Sequence, residues 1–149
     1  MIAVRPAARA DARAWLEMRH DLWPEASVEE HAGEIEEFLA GRSAEPLAVL
    51  VAADETGSLV GFAELSIRPF AEGCDSSRVA YLEGWFVAAA ARRRGVGRRL
   101  VEAAEAWARA QGCRELASDS SPGNTASLAA HRAVGFADAG LIQCHRKEL

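Results

Sequence analysis

Six consecutive residues, Arg92-Arg93-Arg94-Gly95-Val96-Gly97, carry the strongest chemical signal in the chain. They follow an apolar run of Tyr81, Leu82, Trp85, Phe86 and Val87, interrupted by Glu83 and Gly84, which reads as a buried strand. They lead into Val96, Leu100, Val101, Ala104, Trp107 and Ala108, whose three- and four-residue spacing is the apolar stripe of an amphipathic helix. A strand, a glycine-containing turn and a helix start together make an anion site. The first helical N–H groups have no acceptor behind them, the peptide dipoles add partial positive charge, and glycine lets the backbone close on a ligand. Five arginines, Arg92, Arg93, Arg94, Arg98 and Arg99, crowd this turn in a chain of net charge −5. Positive charge at a helix N-terminus is unfavourable unless an anion sits there, so the turn predicts a phosphate-bearing ligand. The pattern is not G-x-x-x-x-G-K-[ST], and it lacks the third glycine and the later acid of the dinucleotide fingerprint.

The elements that must hold this turn can be read along the chain. Its 149 residues, 50% hydrophobic and 26% charged, suit one globular domain, 1–149. No apolar run is long enough to span a membrane, and the N-terminal stretch lacks the apolar segment of a signal peptide. Cys74, Cys113 and Cys144 are odd in number and widely spaced, with neither a zinc pattern nor a disulfide framework, so a reducing cytoplasm is expected. Ile2 to Arg5 reads as a terminal or edge strand stopped by Pro6. Ala10 to Trp23 reads as a helix ended by Pro24, and Ser27 to Glu30 as a capping box opening a second helix that runs to Gly41. Leu47–Ala53 and Leu59–Ile67 form a hairpin around Asp54 to Ser58, and Arg68 to Arg78 is a loop. After the central strand and helix come a short strand, Glu115–Ser118, and a short helix, Asn124–Val134. Two final strands are expected near Phe136–Ala139 and Ile142–Arg146. The layout is α+β with a mostly antiparallel sheet.

The sequence R-x-x-G-x-G after a strand resembles the pyrophosphate loop of the GNAT N-acetyltransferase superfamily, and the order of elements matches over nearly the whole chain. The resemblance implies that Arg92, Arg93, Arg94, Gly95, Val96, Gly97 and Arg98 cradle the pyrophosphate of acetyl-CoA. It implies a central strand splayed from its neighbour, whose backbone at Trp85, Phe86 and Val87 pairs with the pantetheine arm. The segment Asn124-Thr125-Ala126-Ser127, with His131 and Gly135-Phe136, is similar to the superfamily's N-x-x-[AS]…Y-x-x-x-G-F signature. Asn124 would then bond the pantetheine or its loop. His131 falls where many members carry the tyrosine that protonates the departing thiolate, and an imidazole can do the same. The alternative is a helix histidine near the surface.

Trp23-Pro24, Gly73 to Ser77 and Ser118-Asp119-Ser120-Ser121-Pro122 resemble one branch more closely, the aminoglycoside 6′-N-acetyltransferases. Phe62-x-x-Leu65-x-Ile67-Arg68, Leu82-Glu83-Gly84 and Gly112 to Glu115 belong to the same likeness. These are small dimeric enzymes that acetylate a primary amine of an antibiotic aminosugar, so a homodimer and antibiotic resistance are implied. Their substrates are polycations, and the likeness puts Glu83 and Asp119 against the substrate. Glu83 could also relay the proton that the ammonium must lose. An ion pair with a turn arginine is the other reading of Glu83, and an Asx-turn or helix cap that of Asp119. Trp23 would wall a sugar ring, or be core. Members carry a histidine after Trp-Pro where this chain has Glu25-Ala26-Ser27, a tyrosine near Phe70, and an acid after Gly-Phe near Asp138. Those differences bear on the drug spectrum, with Phe70 the nearest match to the loop aromatic.

Two other functions fit parts of the pattern. An acyltransferase for a protein amine or a polyamine would share the turn, and so would a non-catalytic acetyl-CoA-binding module, which has no use for Glu83 and Asp119 in a cleft. The expected chemistry is direct transfer of acetyl from acetyl-CoA, with no metal, no covalent enzyme intermediate, no nucleic acid and no membrane. A backbone N–H near Phe86 or Val87 would polarise the thioester carbonyl.

Overall fold

Five strands form one sheet in chain order in this computed structural model, which describes residues 1–149. They are β1 (Ala3–Pro6), β2 (Ala48–Ala53), β3 (Leu59–Arg68), β4 (Val79–Val87) and β5 (Leu116–Ser118). The first four pair antiparallel, and β5 joins β4 in parallel. Four helices flank the sheet: α1 (Ala12–Leu22), α2 (Val28–Leu39), α3 (Val96–Ala110) and α4 (Thr125–Ala133).

The central strands are apolar on both faces because helices cover both. On β2, Leu50 and Ala52 join Ala63, Leu65 and Leu82 beneath Val96, Leu100, Val101 and Ala104 of α3. Val49 and Val51 point the other way, with Phe62, onto Trp15, Met18 and Ile35 of α1 and α2. Leu100 is wholly enclosed, and burying a side chain of that size stabilises by about 1.5–3 kcal/mol. Helix boundaries follow local chemistry. Ser27 Oγ accepts from Glu30 N–H at 3.1 Å to open α2, and α1 stops at Trp23, before Pro24.

A buried polar group lies within the second face. Glu64 accepts from Trp15 Nε1 at 2.9 Å and from Arg19 Nε and Nη2 at 2.7 and 3.2 Å. Burial pushes the Glu64 carboxyl up, and the Arg19 charge pulls the other way. His31 Nδ1 lies 3.3 Å from Arg19 Nη1, and its Nε2 lies 3.0 Å from the carbonyl of Trp23. Arg19 also stacks over the Trp23 ring, 5.1 Å from its centroid. The cluster therefore fixes the end of α1 where it meets the sheet.

Two features set β4 apart from the other strands. Leu65 stands opposite Leu82 but Glu64 stands opposite Gly84, so Glu83 is an extra, bulged residue. Pairing with β5 covers only Ala80 to Leu82. Beyond Leu82 that edge of β4 has no strand beside it, which is the expected splay.

The strands expected near Phe136–Ala139 and Ile142–Arg146 do not form: residues 134–149 hold no strand or helix. A strand needs an edge to pair with, and β5 is only three residues long. Asp138 is drawn instead to Arg132, at 2.7 Å, and Leu141 and Ile142 stand exposed.

Candidate active site

The turn between β4 and α3 has the geometry of an anion cradle. Gly95, with φ +79°, is the N-cap, and the first helical bond runs from Arg99 N–H to the Gly95 carbonyl at 3.1 Å. The amides of Val96, Gly97 and Arg98 are left without helical acceptors. Gly97 lies tight against its neighbour: a Cβ there would stand 3.1 Å from Trp85 Cζ2, so the ring would have to shift by a few tenths of an ångström, and Trp85 Nε1 donates to the Gly97 carbonyl at 3.2 Å. The helix start is thus seated directly on the strand.

The arginines divide by role. Arg92 Nε donates to the Val87 carbonyl at 3.0 Å and ties the turn to β4, while Arg93 and Arg94 are exposed at its rim. Arg98 turns its guanidinium away, donating to the Ala133 carbonyl at the end of α4 at 2.7 Å, and Arg99 reaches the Ile2 carbonyl at 2.7 Å. A cation at a helix C-terminus is favourable. Of Arg98, only the amide remains with the cradle.

Beside the unpaired edge of β4 opens a cleft of about 350 Å³. Trp23, Glu83, Trp85, Asp119, Asn124 and His131 all line it, as do Glu25, Ser118 and Ser127. Phe86 and Val87 continue the strand without lining the cleft, and Phe70 is 64% exposed outside it. The sequence expectation for Phe70 therefore has no support in the geometry of this chain.

Each polar group is held by a named partner. Both oxygens of Glu83 accept from Arg68, at 2.5 Å from Nη2 and 2.9 Å from Nε, and Ser66 Oγ bonds it as well. The ion pair foreseen for Glu83 exists, but with Arg68 rather than a turn arginine. Arg68 stacks on Tyr81, 3.6 Å from the ring centroid, and Tyr81 Oη donates to Asp119 Oδ2 at 2.6 Å. Burial, then the Asp119 carboxylate, pushes the Tyr81 phenol up, so it remains a donor. Asn124, not Asp119, caps α4, its Oδ1 accepting from Ser127 N–H at 3.1 Å. Trp23 covers the floor at Gly84 and stacks near His31.

His131 is half-buried rather than freely exposed. Its ring packs edge-on against Trp85 and Phe136, each at 5.1 Å. Nε2 lies 2.9 Å from Ser118 Oγ, and Nδ1 lies 2.8 Å from the Ser127 carbonyl. No cysteine lines the cleft: Cys113 is buried, Cys144 is exposed on the C-terminal tail, and burial together with Glu115 pushes the Cys74 thiol up, away from the thiolate.

Sequence reasoning missed Arg68, Tyr81 and Ser118 as parts of the site. A glycine inside an apolar strand, Gly84, was the one local sign of a bulge that re-aims Glu83. Nothing local marks Ser118 as the partner of a histidine thirteen residues on.

The likeness to known proteins runs over nearly the whole chain. The acetyltransferase (GNAT) family model matches residues 15–136. The chain is 53% identical over 146 residues to an aminoglycoside N(6′)-acetyltransferase type 1 of Klebsiella aerogenes, covering 98% of this chain and 96% of that one. It is 42% identical to the protein of that name from Serratia marcescens, covering 91% and 92%. The structure of AAC(6′)-Iy with the bisubstrate analog CoA-S-monomethyl-acetylneamine superposes with a TM-score of 0.91 at 37% identity, covering 100% of this chain and 99% of that one. AAC(6′)-Ih from Acinetobacter baumannii gives 0.91 at 31% identity, with coverages of 100% and 99%.

Proposed function

The chain belongs to the acetyltransferase (GNAT) family, and we infer that it transfers acetyl from acetyl-CoA to the 6′-amine of aminoglycosides. The observation that carries this reading is one cleft in which an unpaired strand edge meets two carboxylates, Glu83 and Asp119, held by Arg68 and Tyr81. A polycationic acceptor suits such a lining, and Glu25 adds a third carboxylate at its rim. A binding module without chemistry has no use for them.

The residues present fit acetyl-CoA as co-substrate. The free amides of Val96, Gly97 and Arg98 take the pyrophosphate, with Arg93 and Arg94 adding charge at the rim. The backbone of Trp85 to Val87 takes the pantetheine arm, and an N–H near Phe86 or Val87 polarises the thioester carbonyl. The acceptor supplies the nucleophile, which must be a neutral amine. Glu83 takes the ammonium proton through water, since both of its oxygens already accept from Arg68. Trp23 lies along a sugar ring, Asp119 holds a second ammonium, and Asn124 orders the loop around the pantetheine. Transfer is direct.

Residues 1–149 act as one domain, in the cytoplasm, where acetyl-CoA is available and three unpaired cysteines stay reduced. The working form is a homodimer. Supporting this, α4 has no buried residue, and Leu141 and Ile142 are 81% and 65% exposed on a tail without secondary structure.

The test uses two drugs, one with a 6′-amine and one with a 6′-hydroxyl, with the acetyl group located by NMR. Acetylation at the 6′ nitrogen, with poor turnover of the hydroxyl drug, is expected. Equal turnover of both, or acetylation at another nitrogen, would sink the assignment.

A further inference from the structure

The neutral ring of His131 has no N–H facing the cleft. A carbonyl oxygen can only accept, so the contact of 2.8 Å to Ser127 fixes the ring proton on Nδ1. In the neutral ring Nε2 is then bare, and it accepts the hydroxyl proton of Ser118 across 2.9 Å. When the ring is charged, Nε2–H donates to Ser118 Oγ, and the single hydroxyl proton turns elsewhere. Its other acceptor in the structure is the Leu82 carbonyl, at 3.2 Å. The hydroxyl therefore has two settings, chosen by the charge on His131, and Ser118 itself lines the cleft. Ser127 Oγ is less suited to this part: it lies 3.4 Å from Nδ1, the nitrogen whose proton goes to the Ser127 carbonyl, and does not contact Nε2.

We propose that Ser118 is the group that hands a proton to the departing thiolate, and that His131 acts behind it as the proton source. The inference rests on the acetyl transfer proposed for this cleft. The amine nitrogen bonds to the thioester carbon, the carbon–sulfur bond breaks, and its electron pair passes to sulfur. Ser118 gives its hydroxyl proton to that sulfur, and its oxygen takes the Nε2 proton of the imidazolium in the same step, so no alkoxide forms. The proton lost by the attacking nitrogen passes to water, and His131 regains one from solvent. Amine and thioester become amide and thiol with nothing left over. Among the charged groups on the surrounding elements are Glu83 on β4, Arg98 on α3, Arg132 on α4 and Asp119 after β5, and none of them hydrogen-bonds the ring.

The test combines a spectroscopic and a kinetic readout. Nitrogen-15 NMR of the free protein is expected to show the neutral His131 ring protonated at Nδ1. Ser118→Ala is expected to lower kcat by ~10²-fold, as loss of a general acid does, with acetyl-CoA affinity by calorimetry within about twofold. Ser118→Thr keeps the hydroxyl and is expected to recover most of the rate. Two groups acting in series do not multiply, so Ser118→Ala with His131→Ala should lose no more than either alone. An Nε2–H tautomer, a Ser118→Ala enzyme at full kcat, or losses that multiply in the double variant would each overturn the relay. A wild type without transfer activity would overturn the function and the relay together, whereas an active wild type beside an unimpaired Ser118→Ala would overturn the relay alone.

Discussion

The indole of Trp23 rests on the backbone of Gly84, so close that a Cβ built on Gly84 would stand 2.5 Å from Cη2 and 2.9 Å from Cζ2. Only a residue without a side chain leaves the aromatic floor of the cleft in place. Gly84→Ala should therefore tilt Trp23 and raise the aminoglycoside KM severalfold, with overpacking costing about 1–3 kcal/mol of stability. Steady-state kinetics and urea unfolding measure both. An unchanged KM would mean that Trp23 does not touch the acceptor.

Gly97 answers to Trp85 as well as to a ligand, since its missing Cβ would lie 3.1 Å from that ring. Gly97→Val should weaken acetyl-CoA binding by more than tenfold, which on the usual scale is about 1.4 kcal/mol or more. Calorimetry on Gly97→Val in a Trp85→Phe background separates the causes. Recovery there would put the loss on helix–strand packing, and a persistent loss would put it on contact with the pyrophosphate.

Asp119 and Glu83 should part company in kinetics. Asp119→Asn removes charge felt by ground and transition states alike, so it should raise KM and leave kcat near wild type. Glu83→Gln should lower kcat too, because it also removes the proposed acceptor of the ammonium proton. Exposed charge pairs are screened over roughly 8 Å at physiological ionic strength, so the aminoglycoside KM should climb with salt and climb less in Asp119→Asn. A salt response identical in wild type and variant would remove Asp119 from the binding of the cation.

Asp11 supplies an acid-sensitive clamp far from the cleft. It accepts from Arg5 at 2.7 and 2.9 Å and from Ala8 N–H at 2.8 Å, and the Arg5 hydrogen bonds hold its carboxyl below the usual range. The folded-state value lies under the unfolded one of roughly 3.9, so the stabilisation is complete above that pH and disappears as pH falls through the folded value. Asp11→Asn should cost about 1–3 kcal/mol at neutral pH and flatten the acid limb of the stability curve. Urea midpoints taken across the acid range would reveal an unaltered limb if Arg5 contributes nothing.

Much of the fold was legible because its signals are local. Ser27 with Glu30, Pro24, the stripe from Val96 to Ala108 and the Gly95 turn each act within a few residues, and each element formed where they placed it. The glycine turn that opens α3 was legible for the same reason, being one turn with its own backbone chemistry. The tail was not. Leu141 and Ile142 look like strand residues, but pairing depends on an edge that the sequence does not declare. Arg68 and Ser118 were hidden for a related reason: their partners Glu83 and His131 lie on other elements, brought close only by the register of β3 and β4 and by the fold-back of α4.

The bulge at Glu83 separates two inheritances of β4. Because Glu83 stands outside the one-to-one ladder, exchanging its side chain leaves Leu82 facing Leu65 and Gly84 facing Glu64, so the core is untouched. The proposed acceptor face can then change at this position while the strand proposed to meet the cofactor stays in register. Changes arising there would act through Arg68 and the buried Ser66 hydroxyl, whose bonds to Glu83 they leave unmade, rather than through the register of the sheet.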